Sequence, residues 1–486
     1  MRRLVLVLLA LFGAALALAG PASAHATVEG STPADGARLA RAPASVSVRF
    51  SESVGIGYLH VIDRSGHRVE TGTPDHPGGN SSAIGVALRA HLPDSTYTVS
   101  FRVLSADSHP VAGTVRFVVG NGPIAATAAA APSTGGGVSA TLDAARWVST
   151  VGFALLAGIW LLFVAVPARR GDRRARRLVW TGWTAAAGGA LAELLLQGSN
   201  AAGAPITSVF RWTLIDSTLH TNFGQWHCAR LVLLGIVAVL LGPALRTDRR
   251  GVLTEDALVP LGLGIAGSFG AVGHAATTDP RLVSMIADTL HLSAVAVWVG
   301  GLAVLCLVVL PRRDAAELVR VLPVFSRVAF TCVAVIAVTG TYAAWLATGS
   351  WRALFETTYG LLVVAKVVGF IGLLALGNLS RMVIQRRVRR PVVAYARTAE
   401  VEPLPGPPGL AAADVERLRR TVLVEVAIAA VVLALAAVLV GRPRGSDALA
   451  AADRAPVTAT AAISADRSAR VRVDPGRHGI VSVAVD

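Results

Sequence analysis

In the stretch LSADSHPVAG, residues 104–113, Asp107 and His109 are two residues apart. In an extended chain, residues two apart share a face, so a carboxylate and an imidazole project together. That is half a metal site. A histidine at a free N-terminus can complete it, because its α-amino nitrogen and its own Nδ1 close a chelate ring on one ion. The sequence offers such a histidine. Residues 1–24 carry Met1-Arg2-Arg3, an apolar run from Leu4 to Ala19 and the small-residue exit Ala22-Ser23-Ala24. This is the pattern of a removable secretory signal. Cleavage after Ala24 makes His25 the new N-terminus. Two nitrogens from His25, one from His109 and an oxygen from Asp107 form a tetragonal N,O set that suits Cu(II). The metal must displace a proton from an α-amine with a reference pKa of about 8. Binding is therefore expected to weaken in acid.

A second group of metal-accepting side chains lies near the ends of long apolar segments. It comprises His227, Cys228, His274, Met285 and His291, with His220 nearby. Imidazole, thiol and thioether all accept copper, and Cu(I) favours the sulfur ligands. His274 and His291 flank one short connection, so they can approach each other without long-range folding assumptions. They are the expected core of a copper entry site, with His227, Cys228 or Met285 assisting. Paired histidines on neighbouring helices also ligate b-type haem. Both histidines fall at one face, however, which is a poor layout for electron transfer across a membrane. Interfacial histidines bonded to backbone carbonyls are the third reading. Deeper in the apolar segments lie Glu193, Lys366 (the sole lysine) and Glu425. Ionisable groups at such positions usually mark a pathway. Cys306 and Cys332 also lie deep; handing copper onward and filling a core are both open to them.

The elements that must position these residues can be read from hydropathy. The chain has 486 residues, 53% of them hydrophobic, with mean hydropathy +0.59. That points to a membrane protein. Residues 25–120 differ from the rest. Val46, Val48 and Phe50 alternate with polar neighbours, as do Tyr97, Val99 and Phe101, and then Val115, Phe117 and Val119. Short alternating strands separated by turn signals such as TGTPDHPGGNSS predict an all-β sandwich. A low-complexity Ala/Gly/Pro linker follows over 121–141. From there to 440, eight apolar segments predict an all-α membrane domain: 147–166, 178–198, 228–245, 257–275, 289–310, 323–347, 359–380 and 421–440. Each is about the length that crosses a bilayer.

Charge sets the orientation. The net charge of +15 invites a nucleic-acid reading, but residues 25–120 carry eight Arg against eight acidic residues. The excess lies in alternate loops. The loops 167–177, 246–256, 311–322 and 381–420 hold twenty-one Arg, and the loops 199–227, 276–288 and 348–358 hold three. Positive charge stays inside, so the β-domain and the tail 441–486 are both expected to be extracytoplasmic. The tail ends in SARVRVDPGRHGIVSVAVD, which reads as a β-hairpin, possible as part of an incomplete further domain. The three cysteines all fall within or beside apolar segments, so no disulfide framework is expected. GLGIAG at 262–267 matches a dinucleotide fingerprint, but it lies inside an apolar segment and follows no strand. No phosphate-binding loop or hydrolytic triad is present to suggest an enzyme.

The exported N-terminal histidine, the cysteine-free β-domain and its late DSHP together resemble the CopC copper-binding family. TNFGQWHCARL, GHAA, DTLHLSAVAVWVGGL, FSRVA and TTYGLLVVAK resemble the CopD copper-resistance membrane family. The chain thus resembles a CopC–CopD fusion over residues 25–440. The resemblance implies a cupredoxin-like Greek-key β-domain that binds Cu(II) through His25, Asp107 and His109. It also implies a membrane domain that moves copper, inward by most accounts. Some relatives carry a Met-rich Cu(I) site in the β-domain. Here Met1, Met285 and Met382 all fall outside it, so no such site is expected. The expected partners are copper ions, the lipid bilayer and an extracytoplasmic copper donor or acceptor. Two rival functions remain: copper delivery to an extracytoplasmic enzyme or sensor without transport, and haem-based redox chemistry.

Overall fold

The computed structural model describes residues 26–105, 110–121, 136–167, 171–245, 252–312, 314–397, 412–453, 457–464, 467–475 and 481–485. The signal segment, His25, Asp107 and His109 lie outside them.

Eight strands build the N-terminal domain. They are β1 (Val28–Thr32), β2 (Ala37–Leu39), β3 (Ser45–Phe50), β4 (Gly55–Ile62), β5 (Glu70–Asp75), β6 (Ala83–Leu88), β7 (Ser95–Leu104) and β8 (Pro110–Val119). One sheet has the order β1-β3-β6-β5 and the other β2-β8-β7-β4. The alternation read from the sequence is the cause of the sandwich. Val46, Val48 and Phe50 on β3 and Tyr97, Val99 and Phe101 on β7 all turn inward and are buried. Phe50 meets Phe101 edge-on at 5.5 Å, and Tyr97 stacks on Phe117 at 5.4 Å. Each fully buried side chain of this kind contributes about 1.5–3 kcal/mol. The Tyr97 hydroxyl avoids a buried orphan by donating to Pro93 O at 2.8 Å.

The rest is helical. The helices are α1 (Gly136–Ala157), α2 (Ile159–Val164), α3 (Arg173–Ala201), α4 (Trp212–Leu219), α5 (Asn222–Ala244), α6 (Val252–Gly270), α7 (Arg281–Val304), α8 (Ala315–Thr348), α9 (Trp351–Glu356), α10 (Thr358–Arg397), α11 (Ala412–Val440) and α12 (Gly445–Asp453). Side-chain caps start several of them. Asp172, Thr221, Asp314 and Ser350 each accept a backbone N–H of the first turn. Gly349, with φ of 62°, stops α8. Among the described residues, six helical stretches are long and apolar enough to cross a membrane: 137–164, 222–244, 281–312, 317–348, 358–379 and 415–440. The other two apolar segments of the sequence correspond to α3 and α6, and in α6 only Ala257–Gly270 forms an apolar stretch. α3 and α1 pack through small residues. A Cβ on Gly189 would come within 2.5 Å of Ser149 N, and one on Gly182 within 2.8 Å of Leu156 N. Such close backbone approach is how helices associate where no hydrophobic drive separates them from lipid. The GLGIAG stretch lies within helix α6.

The tail is more than a hairpin. Helix α12 leads into a three-stranded antiparallel sheet of β9 (Val457–Ser464), β10 (Arg467–Pro475) and β11 (Val481–Val485), with β10 central. The sequence reading caught the β10–β11 pair and missed β9, whose run VTATAAIS is too rich in alanine to stand out as a strand.

Candidate metal centre

His274 and His291 are positioned by different means. His274 opens a 3₁₀ turn, His274–Thr277, between α6 and α7. The turn is held from outside the segment: Arg444, buried just before α12, donates through Nη2 to His274 O at 2.8 Å and also bonds the Thr278 hydroxyl. Thr278 donates back to His274 O at 2.6 Å. The His274 ring lies edge-on to Tyr359 of α10 at 6.2 Å.

His291 sits nearly three turns inside α7. Its Nδ1 lies 2.9 Å from Thr339 Oγ1 on α8. That hydroxyl donates to Val335 O at 2.6 Å, so it accepts from the ring. The hydrogen-bond network therefore assigns the proton to Nδ1, and a neutral ring then carries its lone pair on Nε2, a ligating atom. Gly340 faces His291, where a Cβ would sit 3.1 Å from Cε1. Lys366 on α10 lies within electrostatic range of both His291 and Asp288, the residue one turn before it. Asp288, Tyr359, Thr339 and Arg444 had not been singled out from the sequence. Only Asp288 left a signal, the Asp-x-x-His spacing that stacks two residues on one helix face.

His227 is placed differently. It is fully buried on α5 and stacks on Phe223 at 3.9 Å. Its Nδ1 donates to Phe223 O at 2.9 Å, and Nε2 lies 3.2 Å from Glu193 Oε2 on α3. Arg230 Nη1 is 3.9 Å from the same oxygen. The guanidinium also donates to Ser268 Oγ at 2.8 Å and Ser268 O at 3.0 Å, and it lies over the Phe269 ring at 3.5 Å. Both nitrogens of His227 are thus engaged in a buried polar cluster that ties α3, α5 and α6 together. Cys228, the next residue, is half-buried, and so is Met285 on α7. Cys306 and Cys332 are buried within the main apolar cluster of the helices, and all three cysteines are free. Among the described residues, no three of His, Cys, Asp and Glu gather where they could hold one ion.

The described flanks of His25, Asp107 and His109 meet at one end of the sandwich. Thr27 N donates to Ser51 Oγ at 3.0 Å, and Ser51 N returns a bond to Thr27 O at 2.9 Å. Leu104 pairs with both Gly55 and Pro110. The segments that lead into the three residues therefore start from neighbouring points.

Three family models match the chain: the CopC domain over residues 28–120, the copper resistance protein D-like N-terminal domain over 138–282, and copper resistance protein D over 319–439. The copper transport protein CutJ of Bacillus subtilis (strain 168) is 31% identical over 395 residues, covering 78% of this chain and 71% of CutJ. Copper resistance protein C of Pseudomonas syringae pv. tomato is 33% identical over 122 residues, covering 22% of this chain and 91% of that one. The solved structure of CopC from Methylosinus trichosporium OB3b is 27% identical, covers 20% of this chain and 93% of its own, and has a TM-score of 0.18.

Proposed function

The chain belongs to the CopC–CopD family of copper resistance and transport proteins, and on that premise we propose that it captures Cu(II) outside the cell and carries copper inward across the cytoplasmic membrane. His25, Asp107 and His109 hold Cu(II) on the β-domain. His274 and His291 form the entry to the membrane path, with Met285, six residues before His291, or Cys228 supplying a softer ligand. His227 supports the path through its bond to Glu193 instead of facing it. The β-domain and the tail lie on the extracytoplasmic side, as the arginine asymmetry of the loops supports. An extracytoplasmic donor supplies the copper.

The observation that carries this reading is one chain joining a CopC domain to helices in which His291 is oriented by Thr339 at 2.9 Å. The test is copper accumulation in cells that lack other importers. Cells expressing the wild type should gain copper, and cells expressing His291→Ala should not. If neither gains copper while an extracytoplasmic cuproenzyme is better supplied, delivery without transport replaces this reading. The outer site is tested separately by placing one residue ahead of His25. Unchanged Cu(II) binding would remove the N-terminal chelate.

A further inference from the structure

The β-domain is docked on the membrane domain by the end that carries the flanks of its proposed ligands. Arg102, on β7, reaches across and donates to Asn200 O at the end of α3 at 3.0 Å. Gly57, on β4, lies so close that a Cβ there would come within 2.8 Å of Ala201 O. Gly55 faces Thr221, the cap of α5, where a Cβ would make ordinary contact at 3.4 Å. The Arg102 and Gly55 contacts adjoin Leu104, which Gly55 pairs and which precedes Asp107 by three residues in sequence.

A cleft of about 340 Å³ opens beside this contact. Glu52 lines it from the β-domain, next to Ser51, which holds Thr27. Asn222, Ala276, Thr277, Asp279 and Arg281 line it from the membrane domain. Ala276 and Thr277 belong to the same short turn as His274. Asn222 is itself fixed by donating to Ala271 O at 3.0 Å. The cleft thus lies between the end of the sandwich that leads to His25 and the turn that begins with His274.

We propose that this docked contact is a handover interface: copper passes from the β-domain to the His274 turn within the cleft, without release to bulk solvent and without the β-domain leaving its seat. This rests on the function proposed above. The lining fits a transit space and not a resting site. Its side-chain oxygens are hard donors, whereas the imidazoles beyond it prefer copper, so the metal is drawn onward.

The test is a disulfide between Gly55→Cys and Thr221→Cys in the full chain, with each single substitution as control. An ideal Cβ on Gly55 lies 3.4 Å from Thr221 Cγ2, close to the Cβ separation that a disulfide spans. The crosslink should form in the membrane, and the crosslinked chain should accumulate copper at the rate of its reduced form. No crosslink would overturn the docking. A crosslinked chain that accumulates nothing until reduced would overturn handover in the docked state. A second variant, Arg102→Glu, sets a carboxylate against the Asn200 carbonyl. With an impermeant copper chelator outside, wild-type accumulation should persist while that of Arg102→Glu falls at least fivefold, with Cu(II) binding unchanged. Equal sensitivity to the chelator would overturn the proposal. If the wild type itself gains no copper, the transport reading fails, and the crosslink still decides the docking.

Discussion

Thr339 orients His291, the ligand proposed for the entry to the membrane path. The Thr339 hydroxyl is donor to Val335 O and acceptor for His291 Nδ1, so Val at this position keeps the volume and removes the orientation. Thr339→Val should raise the KM for copper accumulation severalfold with little change in membrane abundance, and Thr339→Ser should restore it. The buried cluster answers to different physics. Breaking a buried charge pair costs about 3–5 kcal/mol because the remaining charge loses its partner. Arg230→Ala, which takes the guanidinium from Glu193 and leaves it only His227, should therefore lower the melting temperature in detergent far more than the double replacement Glu193→Gln, Arg230→Met. On the β-domain, burial and then the Arg68 guanidinium lower the His60 pKa from its ordinary 6.5. Below pH 6.5 the folded domain then binds fewer protons than the unfolded one. Its contribution to stability is full above that pH and is lost as pH falls through the lowered value. The ring is 37% exposed, so the effect should stay within about 1 kcal/mol. It should appear as a weaker acid dependence of melting in His60→Gln. The histidines were legible because imidazole among apolar residues is conspicuous. Glu193, His227 and Arg230 were not legible as a cluster, since they meet across α3 and α5, and hydropathy does not give the rotation of one helix against another.

The apolar segments fall on helices in chain order, and the helices depart from them at their ends. α1 begins at Gly136, well before the apolar start at 147, because Thr141, Asp143 and Arg146 are polar yet good enough helix residues. The Arg146–Asp143 pair at 3.0 Å closes within that first stretch. α10 runs on to Arg397, past the expected end at 380, because nothing between them terminates a helix except Pro391. Charged extensions of this kind are invisible to a hydropathy window. Glycine content, by contrast, was visible without its meaning. Gly300 of α7 lies against the junction of α1 and α2, where any Cβ would overlap Ala154 O and Gly158. Gly300→Val should separate these helices and cost more stability than a surface change of the same size, such as Ala→Val at an exposed position. Thermal unfolding and size-exclusion behaviour in detergent would measure it. A Gly300→Val protein that melts with the wild type would show that the seam is not structural.

In the molecule as a whole, arginine placement is the basis for the proposed orientation, whereas the docking of the two domains left no sign in the sequence. Arg102 bonds a backbone carbonyl, and Gly57 matters for the side chain it lacks, so neither contact leaves a pattern in the sequence. The tail's contact with the helices was hidden for the same reason. Residues 441–486 read as a hairpin within an incomplete further domain, and they also carry Arg444, which is 1% exposed and holds the carbonyl of His274 across 170 positions of chain. A guanidinium buried at that depth costs free energy unless its hydrogens are satisfied, and the turn His274–Thr278 supplies a carbonyl and hydroxyls in return. The turn and the tail therefore order each other. Removing residues 442–486 should release the turn while leaving the sandwich and the helices α1 to α11 in place. Copper accumulation should fall about as far as in His291→Ala, and Cu(II) binding at the β-domain should be unchanged. Arg444→Gln in the full chain isolates the cause, since glutamine keeps an N–H donor but loses reach and charge. If the truncated chain fails and Arg444→Gln works normally, the sheet β9–β11 acts by other means. If both fail alike with abundance preserved, Arg444 is what holds the His274 turn in shape.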